Sequence, residues 1–149
     1  MLYAADNFPT ALAEAVVRDR FEGKKKRFLY RPHLEQLCVT SISSSRELVL
    51  LDLRGAGAYE IGIDTDANRG RAHGAGQALS EAVYAEMNDI DGILFNSRLT
   101  TGDCVAVYDR GLSALSGTPP VALLQAALLP TELARLGITV RRKRGYTTP

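Results

Sequence analysis

Residues 92–109 read "GILFNSRLTTGDCVAVYD". Two apolar, β-rich runs, "GILFNS" and "DCVAVYD", are interrupted by "TGD", which falls where a hairpin turn sits. The spacing from Ser97 makes this connection longer than the tightest hairpin type. Upstream, "QALSEAVYAEM" (77–87) has helical period, with Leu79, Val83 and Met87 on one face. "QLCVTSISS" and "ELVLLDLRG" are β-rich and separated by serines. "LYAA" is a short strand, and "NFPTALAEAVVRDRF" after it predicts a helix. Asp6 or Asn7 caps that helix, Pro9 suits its first turn, and Leu12 and Val16, with Ala13 and Val17, form its apolar face. "EGKKKRFLYRPHLE" (22–35) reads as loop, as does the glycine-rich stretch from Gly55 to Gly76. Downstream, "PPVALLQAALLPTELARLG" reads as a helix broken or kinked at Pro130. "ITVRRKRGYTTP" reads as a final strand with a basic tail over 141–149. Short strands and unevenly spaced helices oppose a regular parallel βαβ series. They predict an α+β fold with a mixed, largely antiparallel sheet and flanking helices. With neither repeat nor linker visible, residues 1–149 are expected to form a single domain.

The chain has 149 residues, enough for one sizeable core, and 46% of them are apolar, a globular value. No apolar run approaches the roughly 18 residues that span a bilayer, so no membrane partner is expected. Met1 leads directly into strand-like sequence without the basic stretch and apolar core of a signal peptide, which points to a cytoplasmic protein. A net charge of +1 provides no global field for nucleic acid. Cys38 and Cys104 lie in apolar, β-branched sequence and read as reduced, buried thiols in strands. Tight Cys/His spacing is missing, so no metal site is expected.

Four features could carry chemistry. A helical glutamate is ordinarily a solvated face residue, but Glu14 lies between Ala13 and Ala15, and small neighbours let a substrate approach its carboxylate. Ser97 follows an apolar strand and reads either as a turn residue or as a ligand's hydrogen-bond partner. As a nucleophile it would want a "GxSxG" elbow and a histidine base; neither flank is glycine, and only His33 and His73 exist. The basic run Arg18, Arg20, Lys24, Lys25, Lys26, Arg27 and Arg31 is either a solvated face or a set of phosphate contacts. The glycine-rich stretch lacks both the dinucleotide and the P-loop fingerprints, and His73 near its end reads as a packed or exposed loop residue.

Taken in order, these pieces resemble the RES-domain toxins. "LYAADNFPTALAEAVVRD" is similar to the family's tyrosine-alanine strand leading into the helix that bears its glutamate. "ELVLLDLRG" resembles the strand that follows. "GQALSEAVYAEMNDIDGILFNSRLTTGDCVAVYDR" resembles the family's next helix, its strand ending in serine-arginine, and its cysteine-containing strand. The resemblance runs from residue 2 to residue 111. It makes Glu14 the family glutamate, Ser97 the family serine and Tyr3 the active-site tyrosine. The family arginine lies in a glycine-arginine-aromatic stretch before the tyrosine strand. The expectation is therefore a chain shortened at its N-terminus.

The resemblance further implies a fold like that of ADP-ribosyltransferases and a function as the toxin of a toxin–antitoxin pair. Such a toxin consumes NAD, with ADP-ribosyl transfer to a cellular protein as the first reading. Passing ADP-ribose to phosphate or water is the alternative, as is an inactive fragment that binds its antitoxin. Glu14 is expected beside the ribose, Tyr3 as a stacking aromatic and Ser97 as a hydrogen-bond partner of ribose or nicotinamide. The family arginine is the expected clamp on the pyrophosphate, with Arg18, Arg20, Arg27 or Arg31 as weaker candidates, and His73 is expected along the pocket. The expected partner is a cognate antitoxin with a DNA-binding part. No metal is needed.

Overall fold

The computed structural model describes residues 1–21, 24–55, 57 and 73–142. In chain order, the first elements are β1 (Leu2–Ala5), α1 (Phe8–Leu12), a π-helical stretch (Ala13–Val17) and α2 (Arg18–Phe21). Next come β2 (Arg27–Tyr30), α3 (Arg31–Glu35), β3 (Cys38–Val39), β4 (Ile42–Ser44) and β5 (Leu50–Asp52). The second half holds α4 (His73–Glu86), β6 (Gly92–Asn96), β7 (Asp103–Val107), α5 (Asp109–Leu112), β8 (Leu115–Gly117) and β9 (Val121–Ala122). A 3₁₀ turn (Leu123–Gln125), α6 (Leu129–Arg135) and β10 (Ile138–Arg141) close the described chain. The class is α+β with a mostly antiparallel sheet, as the residue pattern predicts. The chain forms two compact units: Met1–Ala15 with Ser43–Ser116, and Val16–Ile42 with Gly117–Pro149.

The first unit is built on a four-stranded sheet of order β1-β7-β6-β5. The hairpin legible in residues 92–109 is its centre: β6 and β7 pair antiparallel from Gly92↔Val107 to Asn96↔Asp103. β1 joins the other edge of β7 antiparallel, Leu2↔Val107 through Ala5↔Cys104, and β5 lies parallel to β6. Leu53, Val83, Ile93 and Tyr108 form a buried cluster, with Leu51, Leu79, Ile90 and Phe95 packed against it. Each large apolar side chain so buried contributes roughly 1.5–3 kcal/mol. The Tyr108 hydroxyl is satisfied by donating to the Ser80 carbonyl at 2.9 Å.

Two expectations for α4 need correction. The helix starts at His73 rather than Gln77, inside the glycine-rich stretch read as loop. Its Leu79–Val83 face packs on the buried cluster, and such packing stabilises a helix beyond its intrinsic propensity. Met87 lies just beyond its end and is 40% exposed, so it does not extend that face. Most of the glycine-rich stretch lies outside the described residues.

Asp91, just before β6, is a buried carboxylate with its acceptors used. Arg46 binds it with two nitrogens at 2.6 and 2.7 Å, and the Val49 N–H donates to it at 2.9 Å. The Arg46 guanidinium first, then the Val49 N–H, holds its carboxyl at about 2, below the ordinary 3.8. Because the folded value is the lower one, this pairing stabilises fully above pH 3.8 and is lost as the pH falls through about 2. Asp91→Asn is expected to cost about 1–3 kcal/mol at neutral pH. Urea unfolding of variant and parent across pH checks this: the midpoints should converge below pH 3.8, and a pH-independent gap would refute the assignment.

The second unit departs more from the sequence reading. Residues 27–35 are not loop: Arg27–Tyr30 forms β2, parallel to β10 with Arg27↔Ile138 through Tyr30↔Arg141, and Arg31–Glu35 forms α3 with proline in its first turn. Residues 119–137 are not one helix. They give β9, the 3₁₀ turn and α6, and Pro130 starts α6 rather than kinking a longer helix. Gly137, at φ +65°, takes the left-handed conformation that ends α6 and turns the chain into β10. Cys104 is a buried thiol in no disulfide, but Cys38 is exposed, on a two-residue strand that pairs with the exposed β9. Ile138–Arg141 is the expected last strand; the tail beyond residue 142 lies outside the described residues.

Candidate functional site

Asn7, not Asp6, caps α1. Its side-chain oxygen accepts from the Thr10 N–H at 2.9 Å, while Asp6 in turn accepts from the Asn7 amide at 2.8 Å. Pro9 occupies the first turn, where a missing N–H costs nothing. The helix then passes into its π-helical stretch, and Glu14 sits at the start of it. Such wide turns are frequent where a helix carries a functional residue.

Across from this helix, Ser97 follows the last residue of β6. The Ser97–Gly102 loop closes on itself through the Ser97 N–H to the Gly102 carbonyl at 2.9 Å. Inside it, the Leu99 and Thr100 N–H groups both donate to Ser97 Oγ, at 3.1 and 3.2 Å. The Ser97 hydroxyl therefore points its proton outward, to Glu14 Oε1 at 2.6 Å. Residues 83 apart in the chain are thus joined by one short, charge-assisted bond. Ser97 is 6% exposed and Glu14 half-buried.

One helical turn before Glu14, Thr10 makes a second bridge to the same loop. Its hydroxyl lies 2.9 Å from that of Thr100, which also accepts from the Gly102 N–H at 3.2 Å. Thr10 is 1% exposed. The approach is so close that a Cβ on Gly102 would lie 2.1 Å from Thr10 Oγ1 and 2.8 Å from Asp6 Oδ1. Only glycine fits there.

A charge network lies at the same end of the sheet. Arg54 binds both oxygens of Asp52 and also the Asp103 carboxylate, and Asp103 accepts from the Asn96 amide at 2.8 Å. Asp52, then Asp103, raises the Arg54 guanidinium above its ordinary value, and Arg54 holds the Asp52 carboxyl down. With two carboxylates on it, Arg54 braces the hairpin mouth and does not offer an open anion clamp.

Of the expected site residues, the structure brings Glu14 and Ser97 into direct contact. Tyr3 lies on β1, opposite Ala106, and is 68% exposed. Arg18 and Arg31 belong to the second unit; Arg31 binds Glu35 in an exposed pair at 2.8 Å. Arg27 donates to the Leu136 carbonyl at 3.2 Å. His73 is the first residue of α4, and its side chain lies outside the described residues. Thr10, Thr100 and Gly102 were not singled out from sequence. The available signal was spacing: Thr10 and Glu14 are four apart on a helix, Ser97 and Thr100 three apart in a turn. Among the described residues no cluster of three or more His, Cys, Asp or Glu could hold a metal, and no helix is long and apolar enough to cross a membrane.

Comparison with known proteins gives two findings. The RES domain family model matches residues 1–135. A curated protein named probable toxin y4kH, from Sinorhizobium fredii (strain NBRC 101917 / NGR234), is 33% identical over 101 residues, covering 67% of this chain and 80% of that protein. No solved structure matches the chain.

Proposed function

The chain belongs to the RES domain family, and from that premise we propose that it is the toxin of a toxin–antitoxin pair and consumes NAD, transferring ADP-ribose to a cellular protein. The observation that carries this reading is the 2.6 Å bond from Ser97 to Glu14, which fixes a carboxylate at the end of β6. The name of the similar Sinorhizobium protein, probable toxin, supports the toxin part.

The donor set fits the ligand chemically: a held carboxylate suits ribose hydroxyls, and the exposed ring of Tyr3 suits a planar heterocycle. NAD supplies a nicotinamide–ribose bond whose cleavage develops positive charge on the ribose, as in glycoside cleavage. Glu14 opposes that charge and accepts the proton of the incoming nucleophile. Ser97 holds one Glu14 oxygen. It is expected to keep that bond rather than turn to the ligand, since its oxygen already accepts two N–H groups. Tyr3 stacks on the ligand. The partner is a cytoplasmic antitoxin with a DNA-binding part, which silences the toxin by covering this face.

Incubation of the protein with NAD, with a cell extract, with phosphate, and with neither, tests the reading by product analysis. ADP-ribose on an extract protein is the expected result. ADP-ribose 1-phosphate or free ADP-ribose would move the acceptor to phosphate or water. Intact NAD in all arms would refute NAD consumption.

A further inference from the structure

We propose that Thr10 and Thr100 are positioning residues for Glu14, forming with Ser97 a two-rung bridge that fixes where its carboxylate points. This rests on the reading of Glu14 as the catalytic carboxylate, and it adds residues that family likeness does not supply.

The geometry is specific. α1 with the π-helical stretch that continues it and the Ser97–Gly102 loop meet at two hydroxyl-mediated contacts: Thr10 to Thr100 at 2.9 Å and Ser97 to Glu14 at 2.6 Å. On the helix the rungs are one turn apart; in the loop they are the two ends of the turn that folds over Ser97 Oγ. Thr100 belongs to both rungs. Its side chain bonds Thr10, and its own N–H bonds Ser97 Oγ at 3.2 Å. A shift of Thr100 therefore moves an N–H that orients the Ser97 hydroxyl, and that hydroxyl orients Glu14. Cooperative chains of this kind transmit a loss at one member to the next. The buried setting keeps water from replacing the bond: Thr10 is 1% exposed.

Reactions that depend on a placed carboxylate are sensitive to such shifts, since a displacement of about 1 Å can cost on the order of 10²-fold in rate. A residue that only stabilised the fold would change melting temperature and leave kcat per folded molecule alone. A positioning residue changes kcat at unchanged KM.

The test uses the full chain with Thr10→Val, which keeps shape and removes the hydroxyl, and Thr10→Ser, which keeps the hydroxyl. NAD turnover, melting temperature and amide hydrogen exchange are measured on each. For Thr10→Val, kcat is expected to fall about tenfold or more with KM unchanged. The Leu99 and Thr100 amides should exchange faster, while those of Ile93 and Ala106 within the hairpin do not. Thr10→Ser should restore kcat and protection. If Thr10→Val keeps the parent kcat, or Leu99 and Thr100 keep their protection, the positioning role is overturned. If the parent protein leaves NAD intact, the function proposed above fails instead. The amide exchange of Leu99 and Thr100 still decides the bridge in that case. Should Thr10→Val fold poorly, Thr100→Val with Thr100→Ser as its control carries the same comparison: lost protection and kcat in the first, regained in the second, support the hydroxyl bridge, and parent-like values in Thr100→Val overturn it.

Discussion

Glu14→Gln is expected to lower NAD turnover by about 10²-fold or more while the protein stays folded. Glutamine has nearly the same shape, and its side-chain carbonyl can still accept the Ser97 hydroxyl. What disappears is the negative charge. The 2.6 Å bond is in the range of a hydroxyl donating to a carboxylate, and a neutral acceptor weakens it by roughly half. The loop keeps its two N–H bonds to Ser97 Oγ, so the fold should survive. The expected pattern is a parent-like melting curve with turnover near background. Parent-like turnover in a folded Glu14→Gln protein would make Glu14 a structural partner of Ser97 and nothing more.

Gly102→Ala should have the largest effect on stability of any substitution near the site. The new methyl would sit 2.1 Å from Thr10 Oγ1, inside any permitted contact, with Asp6 and Asn7 atoms at 2.8 and 3.1 Å. Thr10 cannot swing aside cheaply, because its hydroxyl is tied to Thr100. The helix start or the loop must move, at about 1–3 kcal/mol, the usual cost of overpacking. Denaturant unfolding measures this. Thr10→Ala in the same chain removes the clashing atom, so the double variant should be more stable than the sum of the two singles predicts. Strict additivity would mean that the Gly102 methyl is accommodated elsewhere.

What could be read from the sequence divides along physical lines. The 92–107 hairpin was legible because its signals are local: two apolar runs with turn residues between them. The first helix was legible for the same reason, from Asn7, Pro9 and the face of Leu12, Ala13, Val16 and Val17, all buried. Arg27–Tyr30 was not, because a basic run becomes a strand only when Ile138–Arg141 arrives beside it from the far end of the chain. Residues 119–137 were misread because their apolar spacing fits a helix, while the strand pairing of Val121 and Ala122 with β3 overrides it. Cys38 was misplaced because β-branched neighbours mark strands without marking which strands are covered. At the site, Glu14 stood out by its small neighbours and Ser97 by its place at a strand end, and family likeness alone gave them roles. The bond between them, and the threonine bridge beside it, depend on two segments meeting in space, and no local pattern encodes that meeting.

The pairing of β1 with β7 also sets a schedule. Leu2–Ala5 leaves the ribosome before its partner Cys104–Val107, which appears about 100 residues later, roughly 5–20 s at ordinary rates of translation. During that interval the segment carrying Glu14 exists without Ser97, and the apolar first strand has nothing to bind. A ribosome stalled or a message cut before the Ser97 codon yields a polypeptide with the carboxylate but not the clamp. The geometry assembled around Glu14 is therefore a property of a chain synthesised at least through the second strand of the hairpin, and no shorter nascent chain holds it.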